Sequence, residues 1–316
     1  MSYANQQNWK EIQAFLPKHL QFTANDAPQE EWWEWEGHRI HLDTFRNPDA
    51  AIKVILFHGV GTNGRQMSTI LGGPLAKLGF ECIASDMPGY GVTEIRPGAL
   101  VTYDDWVRAG SALVDAERAR DPRPIVLYGL SAGGMLTYHV AALNRKVKGI
   151  VGMTFLDQRV PQVRRETTLH PLIGILGTPL IHCSARIPVL RGLTMPMSLA
   201  SKMYALVNDK AALGACMRDK TSAGSWVSMK FLSSYLNYRP AMEPEQFDVC
   251  PVLLTQPAAD RWTPLHLSDP VVTHLRRVKT NVVMLDNAGH YPLEEPGLTQ
   301  LRDAVAAFAG RCALPA

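Results

Sequence analysis

One short glycine-rich stretch places a serine where it could act as a nucleophile. Residues 129–133 read Gly-Leu-Ser-Ala-Gly, which is a G-x-S-x-G pattern with Ser131 at its centre. The apolar run IVLYGL leads into the pattern and the run MLTYHVAALN follows it, so a strand is expected to turn into a helix here. Such a turn exposes the serine hydroxyl above the sheet, and its small flanking residues avoid collisions. The pattern predicts a catalytic Ser131, with a purely structural turn as the alternative.

A serine hydroxyl needs a base to remove its proton and an acid to orient that base. Of the ten histidines, His290 is the best placed, because it follows the last strand-like run and precedes a closing helical pattern. We predict that Asp260, which follows the preceding strand-like run, is the acid. Asp157, after the run that follows the serine helix, and Asp286, four residues before His290, remain alternatives. The chain order Ser, Asp, His is the order typical of a G-x-S-x-G turn.

A glycine loop follows the apolar run AIKVILF and allows two interpretations. Residues 58–64, HGVGTNG, space three glycines as G-x-G-x-x-G, and Asp86 closes the next apolar run. This is the arrangement of a dinucleotide site, in which the acid binds a ribose. However, this loop follows a hairpin pattern and precedes the serine turn. We therefore favour an oxyanion hole formed by the backbone amides of Val60 and Ala132, with nucleotide binding as the alternative.

The elements that position these residues form a regular series. The alternating runs EWWEWEG and HRIHLDTF predict an antiparallel hairpin at the start of the chain. Continuous apolar strands then alternate with helical segments, which predicts a parallel sheet covered by helices on both faces. Between residues 158 and 245 this rhythm breaks, over a length too great for a structureless loop. We predict a core domain of residues 1–157 and 246–316, with residues 158–245 inserted as a helical cap.

Taken in order, five motifs make the chain resemble the α/β-hydrolase family: HGVG, SDMPGYG, GLSAGG, PAADRWTP and AGHYPLEEP. The resemblance covers nearly the whole length. It implies the α/β-hydrolase fold, a mostly parallel central sheet with helices on both faces and an inserted helical cap. It also implies that Ser131 is the nucleophile, Asp260 the acid and His290 the base. One departure is Pro257, because the family often has a glycine three residues before the acid.

Composition narrows the possible classes of partner. The chain has 316 residues, of which 46% are hydrophobic and 19% are charged, as is ordinary for a globular enzyme. A net charge of +3 is too small to indicate nucleic acid binding. The basic cluster of Arg159, Arg164 and Arg165 is expected to be a solvated surface. Five scattered cysteines form no metal-binding pattern, and we predict neither a metal nor a cofactor.

The hydropathy of the chain predicts where the protein is found. The polar N-terminus has no apolar stretch of the signal-peptide kind, and no apolar run reaches a membrane-spanning length, so we expect a cytoplasmic protein. The oligomeric state is not predicted.

The cap contains the apolar stretch LHPLIGILGTPLI, which suits the acyl chain of a small ester such as a monoacylglycerol or lysophospholipid. We predict a serine esterase resembling lipases, with an acyl-homoserine lactonase or a non-catalytic ligand receptor as alternatives.

Overall fold

The computed structural model describes residues 2–170, 178–187 and 190–314, and its centre is an eight-stranded sheet in the order β1-β2-β4-β3-β5-β6-β9-β10. The strands are β1 (Gln29–Trp35), β2 (His38–Phe45), β3 (Lys53–Phe57), β4 (Glu81–Ser85), β5 (Ile125–Leu130), β6 (Gly149–Met153), β7 (Thr194–Pro196), β8 (Trp226–Ser228), β9 (Val252–Pro257) and β10 (Thr280–Leu285).

The sheet is parallel except at one edge. The predicted hairpin is confirmed, because β1 pairs with β2 antiparallel, with Trp32 opposite His41. Strand β2 then pairs antiparallel with β4, and every other neighbouring pair in the sheet is parallel. All residues of β3, β4, β5 and β6 are buried, as their continuous apolar sequences require of strands covered on both faces. The prediction of a mostly parallel sheet is confirmed.

Helices cover the two faces of this sheet. Their bounds are α1 (Asn8–Gln13), α2 (Gly64–Met67), α3 (Gly73–Ala76), α4 (Tyr103–Arg120), α5 (Ala132–Asn144), α6 (Pro161–Thr167), α7 (Thr178–Arg186), α8 (Met197–Ala200), α9 (Lys210–Arg218), α10 (Met229–Leu236), α11 (Asp269–Val272) and α12 (Gly297–Ala313). Helix α5 packs against β3, β5 and β6 and is covered by α4, whereas α12 packs against β6, β9 and β10 and also contacts α3. A π-helical turn, Ser68–Gly72, joins α2 to α3.

The inserted segment leaves the sheet after β6 and returns at β9. These two strands are direct neighbours, with Ile150 opposite Val252, so the chain between them is added outside the sheet. It contains helices α6 to α10 and a small antiparallel ribbon of β7 and β8. Residues 171–177, in the middle of the apolar stretch LHPLIGILGTPLI, lie outside the described residues. In the part of the chain that the structure describes, no helix is both long and apolar enough to cross a bilayer.

A largely buried group of charged side chains and one tyrosine ties the hairpin to α2 and to the loop after β4. Its members, named here the hairpin charge cluster, are Tyr3, Glu30, His41, Asp43, Arg65 and Asp86. The His41 imidazole lies 3.1 Å from Glu30 through Nε2 and 3.0 Å from Asp86 through Nδ1, the latter without hydrogen-bond geometry. Burial alone would lower the pKa of His41, but the Asp86 and Glu30 carboxylates raise it to about 9.

This raised pKa predicts a loss of stability at alkaline pH. A protonated His41 contributes fully below its ordinary pKa of 6.5, and the contribution disappears as pH rises through about 9. The free energy of unfolding should therefore fall by up to roughly 3 kcal/mol between pH 6.5 and 9.5. Urea denaturation across this range should show the fall in the wild type and in the exposed control His19→Gln, but not in His41→Gln. An equal fall in His41→Gln would contradict the assignment.

Candidate active site

Ser131 occupies a strained turn between β5 and α5. Its φ of 57° and ψ of −120° are costly for a residue with a side chain, and such strain is concentrated at functional sites. The surrounding backbone leaves no room for larger neighbours. A Cβ on Gly129 would lie 1.9 Å from the Gly133 carbonyl oxygen, and a Cβ on Gly133 would lie 2.5 Å from the Phe57 carbonyl oxygen. Gly129 is therefore required by a contact across the turn, and Gly133 by a contact with the end of the neighbouring strand β3.

His290 and Asp260 form a buried pair on the loops after β10 and β9. The His290 Nδ1 lies 2.9 Å from Asp260 Oδ2, and each side chain is only 1% exposed. In this arrangement Nδ1 donates to the carboxylate, which leaves Nε2 as the basic nitrogen of the ring. Burial would raise the pKa of Asp260, but the charge of His290 and hydrogen bonds from Thr263 lower it to about 2. Asp260 is therefore ionised throughout the neutral range.

Two residues that the sequence analysis did not identify hold this pair in place. Thr263 donates to Asp260 through both its amide and its hydroxyl, at 2.9 and 2.7 Å, and the amide of Trp262 donates at 2.7 Å. The Trp262 ring packs on the His290 imidazole, with their centroids 4.6 Å apart. They lie two and three residues after Asp260 in the chain, and this closeness is the sequence signal that could have found them.

The structure brings two of the three predicted triad side chains into contact. Among the described residues, the buried Nε2 of His290 has no hydrogen-bond partner, so the bond to Ser131 Oγ is not formed here. Catalytic hydrogen bonds are often long before substrate binds and tighten afterwards. Ser131 and Trp262, which packs on His290, line the same cavity. The assignment of Ser131, Asp260 and His290 to a triad remains a prediction.

The two alternative acids have other partners. Asp157 forms an ion pair with Arg159, with 2.7 Å between Oδ2 and Nη2, and Arg159 in turn pairs with Glu243. Asp286 accepts a hydrogen bond from the Gln300 amide at 2.9 Å, on the exposed surface. Among the three candidates, contact with His290 is made by Asp260. Pro257 does not disturb this contact, since it is the last residue of β9, three residues before the acid.

The glycine loop packs directly on the serine turn. A Cβ on Gly59 would lie 2.6 Å from the Leu130 carbonyl oxygen, so the loop and the turn touch through their backbones. Val60 lines the cavity beside Ser131, and Ala132 is the first residue of α5, where amides have no partner within the helix. His58 braces the loop, because its Nδ1 contacts the Gly59 oxygen at 2.8 Å and its Nε2 accepts from the amide of residue 87 at 3.0 Å.

Protein groups already occupy amides that a pyrophosphate would need at the start of α2. The amide of Gly64 donates to Asp86 Oδ1 at 2.7 Å, and the amide of Gln66 donates to Asn63 Oδ1 at 3.0 Å. Asp86 is fully buried and also accepts hydrogen bonds from Tyr3 and from the amide of residue 92. Its carboxylate therefore serves the loop itself, which leaves it poorly placed to bind a ribose. The oxyanion role of Val60 and Ala132 remains the prediction that fits this loop.

A narrow cavity of about 80 Å³ opens above Ser131. Its wall is mostly apolar and comes largely from the inserted segment: Val60, Ser131, Leu156, Gln158, Arg164, Thr167, Thr168, Ile181, Met195, Met197, Ala200, Ser201, Leu232, Tyr235, Leu236 and Trp262. The expectation of a solvated basic cluster holds for the exposed Arg165 but is wrong for Arg164, which is half-buried in this wall. Arg164 lies on α6 one residue after the buried Val163. Nothing in the sequence around it indicated that its side chain would face the cavity.

Comparisons with known proteins agree with this architecture. A soluble variant of monoglyceride lipase from Saccharomyces cerevisiae, crystallised with a substrate analogue, superposes with a TM-score of 0.74 at 15% identity, over 95% of this chain and 99% of that one. A crystal structure of monoacylglycerol lipase from Paleococcus ferrophilus gives a TM-score of 0.66 at 20% identity, over 86% of this chain and 99% of that one. At these identities the likeness concerns the fold.

Two relatives found by sequence match either a short part of the chain or most of it at low identity. The chain is 27% identical over 129 residues, 40% of its length, to a multifunctional-autoprocessing repeats-in-toxin protein of Vibrio vulnificus, and the match spans 2% of that toxin. The quorum-quenching protein AidA of Acinetobacter baumannii is 21% identical over 250 residues, covering 76% of this chain and 79% of AidA. The family model described as "Alpha/beta hydrolase family" matches residues 54–303. With this match over most of its length, the chain belongs to the alpha/beta hydrolase family.

Proposed function

We propose that this hydrolase cleaves carboxylic esters with an apolar acyl group through an acyl-enzyme formed on Ser131. The observation that carries the proposal is the buried His290–Asp260 pair beside the strained serine turn, at the base of an apolar cavity. A hydrogen-bonded carboxylate holds the imidazole in the tautomer that can accept a proton from serine. The lipase structures that share the fold agree with this substrate class.

The proposed reaction proceeds in two steps on these residues. In the first, His290 Nε2 takes the proton of the Ser131 hydroxyl while Oγ attacks the ester carbonyl, and the negative charge develops on the carbonyl oxygen. The amides of Val60 and Ala132 donate to that oxygen, a contribution worth roughly a hundred- to a thousandfold in rate per donor. The tetrahedral intermediate then collapses, His290 gives its proton to the departing alcohol, and the acyl group stays on Ser131.

In the second step, His290 takes a proton from water, and the resulting hydroxide attacks the acyl carbonyl. The same two amides stabilise the second tetrahedral intermediate. When it collapses, the bond to Ser131 Oγ breaks, the serine recovers its proton from His290, and the carboxylic acid leaves. Asp260 stays ionised throughout and stabilises the imidazolium that forms in each step.

The inserted residues 158–245, proposed as the cap, supply most of the apolar wall. Met195, Met197, Leu232 and Leu236 all come from this segment and face the same cavity as Ser131. Methionine side chains adapt to flexible ligands, which supports an acyl chain as the group that the wall receives. An apolar wall would contribute little to binding a short polar acid.

Hydrolysis of a lactone is the second candidate function. The likeness to AidA, a quorum-quenching protein, extends over most of both chains and favours acyl-homoserine lactones as test substrates. The same serine, histidine and aspartate would open a cyclic ester by the same two steps. A non-catalytic receptor of the same fold is a third possibility, and it predicts binding without turnover.

Asp260→Asn should separate the proposed acid from its alternative. The change should lower kcat for an ester by about ten-thousandfold while the protein stays folded, because the imidazole is left in the wrong tautomer. Asp157→Asn is the matched control and should keep most of the activity, since Asp157 pairs with Arg159. Turnover of 4-nitrophenyl butyrate measures the kcat of both variants, and circular dichroism shows whether they are folded. Loss of turnover in Asp157→Asn with activity retained in Asp260→Asn would reverse the assignment.

A chain-length series tests the substrate class. With 4-nitrophenyl esters from acetate to palmitate, each added methylene that fits the cavity should raise kcat/KM about fourfold, corresponding to roughly 0.8 kcal/mol per buried CH₂. The rise should stop once the cavity is filled. Ser131→Ala should lose turnover of every ester by roughly a millionfold.

The same series distinguishes the competing functions. Acyl-homoserine lactones and monoacylglycerols of equal acyl length, assayed beside the 4-nitrophenyl esters, separate lactonase from lipase-like activity. A preference for acetate, with longer chains rejected, would contradict an acyl-binding cavity. Binding of these compounds without any turnover would favour the receptor.

A further inference from the structure

The cavity wall contains one cation without an anionic partner. Arg164 lies on α6, and its guanidinium donates through Nε to the Gln158 carbonyl oxygen and through Nη2 to the Leu236 carbonyl oxygen at 2.8 Å. Both acceptors belong to residues that line the same cavity as Ser131. The two hydrogen bonds fix the plane of the guanidinium, while Nη1 has no hydrogen-bond partner in the described part of the chain.

The neighbouring charges do not neutralise Arg164. Arg159, five residues earlier and before the start of α6, is neutralised by Asp157 and Glu243, each 2.7 Å from its Nη2. No carboxylate of a described residue comes within 4 Å of the Arg164 guanidinium. Burial lowers the pKa of Arg164 and the Asp157 charge opposes that shift, yet a guanidinium remains protonated at neutral pH. A half-buried positive charge of this kind is normally paired with an anion.

A second donor in the same wall also lacks an acceptor. The Tyr235 hydroxyl accepts a hydrogen bond from Gln158 Nε2 at 3.4 Å but donates to no described residue. Gln158 Nε2 is itself weakly engaged, because its other contact, with the Thr167 hydroxyl, is 3.5 Å long. Donors of a mostly apolar wall that have no acceptor among the described residues are available to a ligand that brings oxygen acceptors.

We propose that Arg164, assisted by Tyr235, binds a carboxylate at the end of the substrate remote from the ester that Ser131 attacks. The inference rests on the proposed function, which it narrows from apolar esters in general to half-esters of dicarboxylic acids. Apolar side chains such as Met197 and Leu232 would contact the methylenes between the two ends.

Binding to a catalytically inactive protein tests this independently of turnover. With Ser131→Ala, calorimetry should be run on the monoethyl esters of glutarate, adipate and suberate and on the corresponding ethyl methyl diesters. The best half-ester should bind about tenfold to a hundredfold more tightly than its diester, as expected for hydrogen bonds to a charged group. The preference should disappear in Ser131→Ala/Arg164→Met and fall partly in Ser131→Ala/Tyr235→Phe.

Ser131→Ala/Arg165→Met is the matched control, because Arg165 is the next residue and is exposed, and it should keep the preference. An equal or lower affinity for the half-ester in Ser131→Ala overturns the proposal, whether or not the Arg164 variant folds. A preference that survives in a folded Arg164→Met protein also overturns it. Selective binding of half-esters, with no turnover of any ester by the wild type, would support the carboxylate site and contradict the proposed hydrolysis.

Discussion

Backbone crowding at the turn between β5 and α5 is the constraint on which the rest of the site depends. A Cβ on Gly129 would collide with the Gly133 backbone, and a Cβ on Gly133 would collide with the backbone of Phe57 and His58. Gly59 packs on the same turn from the neighbouring loop. Three chain segments therefore meet at one point, and Ser131 is held with a positive φ because the hydrogen-bonded strand and helix on either side determine its conformation. At this turn Ser131 lines the cavity together with Val60 of the glycine loop.

Buried electrostatics hold the surrounding loops in position. Asp86 accepts from the amide of Gly64 at 2.7 Å and contacts His41 of the hairpin, so the loop before α2 is fixed to the hairpin at one edge of the sheet. On the opposite side, the Trp262 indole donates to the Thr167 carbonyl oxygen at 3.0 Å. That bond connects the loop carrying Asp260 to α6 of the inserted segment. The position of the cavity wall is thereby linked to the position of the acid.

The local features of this chain could be predicted because their causes are local. Continuous apolar runs predicted the buried strands, and the spacing of small residues predicted the turn at Ser131, where the structure has a φ of 57°. The insertion of β4 between β2 and β3 could not be predicted, because strand order depends on pairing between distant segments. The contact between Asp260 and His290 was expected from the order of motifs.

Arg164 shows where sequence reasoning reaches its limit. Three arginines close in sequence resemble a solvated surface, and only packing shows that Arg159 is paired with carboxylates while Arg164 faces the cavity. The direction of a side chain on a short helix depends on what the helix covers, and α6 covers the site through contacts with residues far away in the chain. The specificity of the site is therefore less visible in the sequence than its catalytic residues are.

The most direct test of the central claim is the location of a covalent adduct on the folded protein. The protein should react with a fluorophosphonate to give a single adduct by intact mass, and peptide mapping should place it on Ser131, because an activated serine nucleophile attacks phosphorus as it attacks a carbonyl. The reaction should be lost in His290→Gln, in which the serine is present but has no base. Modification of another residue, or no modification of correctly folded protein, would contradict the account.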